Sequence, residues 1–390
     1  MARGRRRKHK YSQKFIFTVF VIILIIAIAI GIFYFAFPDK FKEVYIKLFG
    51  VEDGGGNGGN GFPASSSFTL TETDLSIHFL QLESPGDCTL VKVGDTEVLI
   101  DAGSKTGSID TICNYIDNYC VDDIIEYVIV THAHEDHYAC FAGSTSSSYQ
   151  TIFDRYECEI IIDFPLSENI NKSTPTKMFE RYIAERDAEV ANGAIRYSAL
   201  DCYNNQNGAN RIYQLGDGVT LEILYNYYYE NDAVSDNEND YSVCCLIRDG
   251  DKEFLFTGDL EEHGEEKLVE SGQLSKVDVY KAGHHGSYTA STDIFLEVID
   301  PDIVIFTSVL GSDEYSDNID NMYPAKRVCD SLKNYTDSLY ITGYNNEETG
   351  QIEAYNGNIV IISNESGLNV YCSDKTDTMV ASSWYQAHRA

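Results

Sequence analysis

The chain divides by its pattern of apolar and polar positions. Phe15 to Phe37 runs without one charged residue. As a helix that run spans roughly 35 Å, enough for a hydrocarbon core of about 30 Å. Lys40 to Phe49 then sets Phe41, Val44, Tyr45 and Leu48 at helical spacing, an amphipathic turn suited to a membrane surface. Gly54 to Gly61 is glycine and asparagine alone, and Ser65-Ser66-Ser67 prolongs it as a flexible linker. From Leu75 onward short apolar runs alternate with helical patterns. Ser76–Leu82, Thr89–Val93, Glu97–Ile100 and Tyr127–Val130 read as strands, with a helix over Ser108–Tyr119. Glu159–Ile162 is a strand, and Pro175–Val190 a helix with proline near its start. The second half repeats the alternation. Strands fall at Val219–Tyr225, Tyr241–Ile247, Glu253–Phe256, Val277–Tyr280, Ile303–Phe306 and Ser338–Ile341, and helices at Glu261–Ser271, Thr292–Val298 and Ala325–Leu332. Gly350 to Cys372 closes the pattern with two or three strands. Helices interleaved with strands on both sides predict an α/β layered sandwich.

Charge sharpens the address. Met1 to Lys14 holds seven of the 29 basic residues and no acid. Such a cluster ahead of an apolar run keeps the N-terminus cytoplasmic and sends the remainder across. A cleaved signal peptide fits less well, because the run is long and no small-x-small site follows it. The expected organisation is a basic cytoplasmic tail at 1–14, a transmembrane helix at 15–37 and a linker at 38–68. An extracellular folded domain at 69–375 and a C-terminal tail at 376–390 complete it. Beyond the span, 22 basic residues face 61 acidic ones, about −39 in formal charge. That surface opposes tight binding of nucleic acid phosphates, which relies on Lys and Arg. The ten cysteines form no CxxC pattern and read as small buried side chains, with Cys113 and Cys120 a candidate pair.

Candidate chemistry concentrates where strands end. Thr131-His132-Ala133-His134-Glu135-Asp136-His137 follows the Tyr127–Val130 strand, and takes three of the chain's nine histidines. His132 and His134 leave the same side of an extended chain, and Asp136 and His137 follow at a turn. Imidazoles with a carboxylate at this spacing suit a borderline metal such as zinc. Thr257-Gly258-Asp259 ends another strand, where Asp259 is either a ligand or an ordinary helix N-cap. Lys281-Ala282-Gly283-His284-His285-Gly286-Ser287 ends a third, and adjacent histidines in a loop ask for a ligand. Lys281 itself reads as a strand-end surface residue and Glu135 as a solvent-facing spacer. Tyr225, Tyr227, Tyr228 and Tyr229 read as a strand end with exposed tyrosines.

Taken together these pieces resemble the metallo-β-lactamase superfamily: Asp101 in Asp-Ala-Gly, His132/His134/Asp136/His137, Asp259 in Thr-Gly-Asp, and His285 in His-His-Gly-Ser. The second and third segments look most like the extracellular hydrolase domain of competence protein ComEC and its stand-alone relatives. The resemblance implies a four-layer αβ/βα sandwich with one or two divalent ions, zinc first and manganese as the alternative. It implies that His132 and His134 bind one ion, that Asp136, His137 and His285 bind the other, and that Asp259 bridges. It further implies Asp136, Asp259 and His284 as catalytic groups, with His284 a phosphate contact or proton donor, and Asp101 as the carboxylate that orients a ligand histidine. No histidine lies between His137 and His263, so either solvent, Asp163 or Asn239 completes the first ion's shell or that ion is weakly held. The loop usual in that branch is altered here, as Phe79 to Asp87. The implied function is a membrane-anchored, extracytoplasmic metal-dependent hydrolase acting on a phosphodiester, either single-stranded DNA or a cell-wall polymer. Opening of a β-lactam ring and a non-catalytic surface binding module are the rivals. The membrane is the one partner besides substrate.

Overall fold

The computed structural model describes residues 68–82, 84–172, 174–234, 237–313, 316–346 and 349–390. The basic tail, the 15–37 span and the linker to residue 67 lie outside the described residues. Among the described residues no helix is long and apolar enough to cross a membrane.

Among the described residues sixteen strands build two sheets of eight. The first contains β1 (Leu75–Phe79), β2 (Thr89–Val93), β3 (Thr96–Ile100), β4 (Ile124–Val130), β5 (Glu157–Asp163), β6 (Ile195–Ser198), β15 (Ile359–Asn364) and β16 (Gly367–Cys372), in the order β16-β15-β1-β2-β3-β4-β5-β6. The second contains β7 (Ile212–Gly216), β8 (Val219–Ile223), β9 (Cys245–Asp249), β10 (Lys252–Phe256), β11 (Val279–Lys281), β12 (Ile303–Leu310), β13 (Leu339–Asn346) and β14 (Gln351–Ala354), in the order β14-β13-β12-β11-β10-β9-β8-β7. Helices are α1 (Ile109–Ile116), α2 (Glu135–Ala142), α3 (Glu168–Asn171), α4 (Lys177–Asn192), α5 (Ala199–Asn204), α6 (Glu262–Glu270), α7 (Asp293–Ile299), α8 (Lys326–Leu332) and α9 (Ser383–His388).

Strand alternation sets the layers. On β1, Phe79 stacks on Phe256 of β10 at 6.1 Å, while its neighbour His78 turns the other way onto Tyr115 of α1. Phe254 and Phe256 of β10 join the core between the sheets, and Leu255 joins the core under the helices. Tyr280 of β11 meets Phe295 of α7 at 5.5 Å. Period-two alternation therefore feeds two faces at once, helix on one and sheet on the other. Each fully buried Phe or Leu contributes about 1.5–3 kcal/mol.

In both sheets antiparallel pairing changes to parallel within the chain. It does so at β3–β4 in the first and at β10–β11 in the second. The C-terminal ends of these strands carry Asp101, Thr131, Asp259 and Ala282 onward, which is where open α/β sheets gather ligands.

Several expectations need correction. The tail at 376–390 folds onto the domain: α9 sits in the second core, with Tyr385 and Arg389 fully buried. Cys113 and Cys120 are not paired, and all ten cysteines are free and buried. Tyr228 and Tyr229 are buried, the Tyr229 hydroxyl accepting the Cys244 N–H at 3.0 Å.

Candidate metal centre

The first motif sits on a strand-to-helix turn. β4 ends at Val130, His134 occupies the extended N-cap position, and Asp136 and His137 lie in the first turn of α2. That turn packs tightly on the loop after β3: a Cβ on Gly103 would lie 1.7 Å from the Asp136 carbonyl oxygen, so only glycine fits. Asp101 beside it has φ 58, a left-handed conformation unusual for a carboxylate residue, and it aims its side chain inward. Gly258 has φ +55, and a Cβ there would meet the Ser242 hydroxyl and Thr131. The Thr-Gly-Asp turn thereby reaches the same point from the second sheet. Asp259 caps no helix, since α6 begins at Glu262 with Glu261 at its N-cap. His284 and His285 are both left-handed, with φ 45 and 54.

These turns bring Asp136, His137, Asp259 and His285 together, their ligand atoms all within 4.8 Å of one another. Asp259 Oδ2 stands between His137 Nε2 at 3.1 Å and His285 Nε2 at 3.3 Å, and His285 Nε2 is 3.2 Å from Asp136 Oδ2. Ligand atoms on a tetrahedral ion with bonds of about 2.1 Å are about 3.4 Å apart. Both rings are held by their other nitrogen. His137 Nδ1 donates to Asp101 Oδ2 at 2.8 Å, and His285 Nδ1 donates to the Thr307 carbonyl at 3.0 Å. That fixes the tautomer and turns each Nε2 lone pair towards the shared point. His137 Nε2 and Asp259 Oδ1 are buried with no hydrogen-bond partner among the described residues. The side chains fit a divalent cation.

Charge makes the same demand. Burial alone lowers the basicity of His137, but Asp259 and Asp101 overcome it and hold the ring well above its usual pKa. His285 is likewise raised against burial, by Asp259 and Asp87. Burial also works to raise Asp259, yet His137 and His285 hold its carboxyl well below the usual range. Buried carboxylates of this kind are either paired with positive charge or coordinate a metal.

Asp101 stands behind His137. It accepts the Thr131 N–H at 2.8 Å and the Thr131 hydroxyl at 2.7 Å, and so braces His137. Asp101→Ala is expected to weaken zinc binding about 10–100-fold, measured by chelator competition, while the fold persists by circular dichroism.

The two histidines expected on the other ion stand beside this group, the His132 ring 4.2 Å from that of His137. His132 Nε2 and His134 Nδ1 lie 3.0 Å apart and pair with each other, outside the group of four. Burial keeps both rings below their usual pKa. Asp163, at the end of β5, does not complete a shell there: Arg186 and Arg196 take its oxygens and Tyr182 donates to it. Asn239 donates to Glu261 Oε1 at 3.0 Å, and its own Oδ1 is buried without a hydrogen-bond partner among the described residues. Glu135 faces solvent as expected.

Lys281 overturns its surface assignment. It is 3% exposed, pairs with Asp87 and lies 3.8 Å from Asp259 Oδ1. Asp87 is the residue that sequence reasoning passed over. It also faces His285 Nδ1 at 3.3 Å and accepts from the Thr307 hydroxyl. Burial pushes its carboxyl up, but Lys281 and then His285 hold it well below the usual range. Glu261 was missed as well. Its Oε1 lies 2.8 Å from His284 Nδ1, which also meets the Thr289 hydroxyl at 3.0 Å. Burial opposes ionisation of Glu261, yet the hydrogen bond from His284 brings it down to about 2. A cavity of about 240 Å³ opens beside His134, between Tyr138, Lys172, Met178 and Glu238. Another of about 450 Å³ opens beside Glu261, His263 and Thr289.

Residues 234–307 match the model of the metallo-beta-lactamase superfamily. Recombination protein 2 of Haemophilus influenzae is 35% identical over 91 residues, 23% of this chain and 11% of that protein. Competence protein ComA of Neisseria gonorrhoeae is 30% identical over 123 residues, 31% of this chain and 17% of that protein. The aligned stretches thus span well under a quarter of those relatives. Among solved structures, the metallo-beta-lactamase fold protein YhfI from Bacillus subtilis aligns with 54% of this chain and 70% of its own, at 14% identity and a TM-score of 0.30. The motifs stand in order, four of their side chains converge, and residues 234–307 are similar to the metallo-beta-lactamase superfamily.

Proposed function

We propose that this chain is a metal-dependent phosphodiesterase, held in a membrane by its N-terminal apolar segment with the hydrolase domain outside the cytoplasm. The observation that carries the reading is the His284–Glu261 pair beside the four converging ligand side chains. Asp136, His137, Asp259 and His285 would hold a divalent ion. Such an ion supplies Lewis-acid polarisation of a phosphoryl oxygen and draws the pKa of water down towards about 7.

The chain's own groups do the rest. Asp101 and the Thr307 carbonyl keep the Nδ1 protons in place, so His137 and His285 cannot rotate away. Glu261 and Thr289 orient His284 through Nδ1, which leaves Nε2 as the nitrogen to pass a proton to the departing alkoxide. The Glu261 carboxylate stabilises the imidazolium from which that proton leaves.

The relatives named for recombination and for competence direct the reading to phosphodiesters. The acidity of the chain turns it from long polyanions towards a wall polymer or a small diester. Hydrolysis of bis-p-nitrophenyl phosphate with added zinc or manganese tests the proposal, with nitrocefin as the β-lactam comparison. Wild-type turnover of the diester is expected. His284→Ala should cost about 10²–10⁴-fold on an alkyl diester and far less on the p-nitrophenyl ester, whose leaving group needs no proton. A wild-type chain that takes up metal and turns over neither diester would end this reading.

A further inference from the structure

The segment after β16 reaches the candidate centre through one loop. That loop joins β12 to α8, and its two arms run side by side: Gly311 N–H donates to the Tyr323 carbonyl at 2.8 Å, and Tyr323 N–H to the Ser312 carbonyl at 3.1 Å. Its distal end lies against His285. The Tyr323 ring meets the His285 ring edge to face at 6.4 Å. Ala325 N–H donates to the Gly286 carbonyl at 2.9 Å, and a Cβ on Gly286 would press on Phe306 and Pro324.

The other side of the loop is gripped by α9 and the residue after it. Arg389, fully buried, donates from Nη2 to the Ile319 and Met322 carbonyls at 2.9 Å and from Nε to the Pro324 carbonyl at 3.0 Å. Its guanidinium lies 4.5 Å over the Trp384 ring. Trp384 in turn abuts Gly311, where a Cβ would come within 2.7 Å of the indole nitrogen. A buried guanidinium spread over several carbonyls needs each of those acceptors where it is. The rigid planar fork thus fixes the loop as one piece.

We propose that Arg389 is a positioning residue for the candidate metal centre. It sets the 319–325 segment against which His285 presents its Nε2. The inference rests on the metal-centre reading and goes beyond it, because no part of the ligand set comes from this segment. Linkage makes the effect reciprocal: if the segment holds His285 in its ligating pose, an ion on His285 must tighten the segment.

The chain supplies its own reporter, since Trp384 is its single tryptophan. Zinc titration of the full chain, read by Trp384 fluorescence and in parallel by chelator competition, tests the idea. The expected result is a fluorescence change that follows zinc uptake and disappears in His285→Ala. Arg389→Met should bind zinc about tenfold or more weakly, with Arg389→Lys between it and wild type. A core-cavity variant in the other sheet, chosen for an equal loss of melting temperature, should bind zinc as wild type does. If Arg389→Met does not fold, Arg389→Lys and the wild-type titration decide. Zinc uptake with unchanged Trp384 emission, or Arg389 variants with wild-type affinity, overturns the proposal. A wild-type chain that takes up no metal overturns the centre and this inference together.

Discussion

Asp259→Ala is expected to abolish metal-dependent hydrolysis, by a factor on the order of 10³, and to release the ion at zinc concentrations that saturate the wild type. The geometry gives the reason. Its Oδ2 is the atom shared between His137 and His285, at 3.1 and 3.3 Å, and those rings come from different sheets. Removing it leaves two imidazoles with no carboxylate between them. Asp259→Asn keeps the shape and removes the charge, so it separates the two roles. An Asn variant as inactive as Ala shows that the negative charge matters. Retained turnover in both would contradict the assignment. The measurement is kcat/KM on bis-p-nitrophenyl phosphate together with zinc content.

Lys281→Met should be among the most destabilising single changes in the domain, by about 3–5 kcal/mol. Asp87 and Lys281 are 4% and 3% exposed and pair directly. Without the ammonium, Asp87 keeps a buried charge facing His285 and Thr307. A domain of this kind is stable by only about 5–15 kcal/mol, so the loss is a large part of the total. Urea unfolding with chelator present measures it free of metal effects. Lys281→Met/Asp87→Asn should recover part of the loss, because neutralising the orphaned carboxylate removes its desolvation cost. A single variant within about 1 kcal/mol of wild type would show that the pair is not the buried partnership described here.

Local signals made much of this site legible, and long-range ones hid the rest. The strand Thr89–Val93 is found where its alternation puts it, and the histidine and aspartate motifs fall at strand ends as their spacing suggests. Those readings need only a few neighbouring residues. Lys281 defeats the same logic because its burial depends on Asp87, almost two hundred positions earlier, in a loop with no periodicity. Asp163 looks like a spare ligand until Arg186 and Arg196 arrive from α4 and β6. β6 and β7 are edge strands with only three of their nine residues buried, so their apolar pattern is thin. Arg389 gives no local signal at all, because its partners are carbonyls of a loop some seventy residues away.

Antiparallel pairing gives way to parallel at β3–β4 in one sheet and at β10–β11 in the other, and the ligands stand at both places. An ion there would act as a rivet across the seam between the halves. Each half alone supplies only part of a coordination shell: His137 and Asp136 belong to one, Asp259 and His285 to the other. Cohesion of the two sheets would then be a function of the free ion concentration [M], rising by RT ln(1 + [M]/Kd). A chain cut between the halves would regain its affinity for metal only as the fragments reassociate.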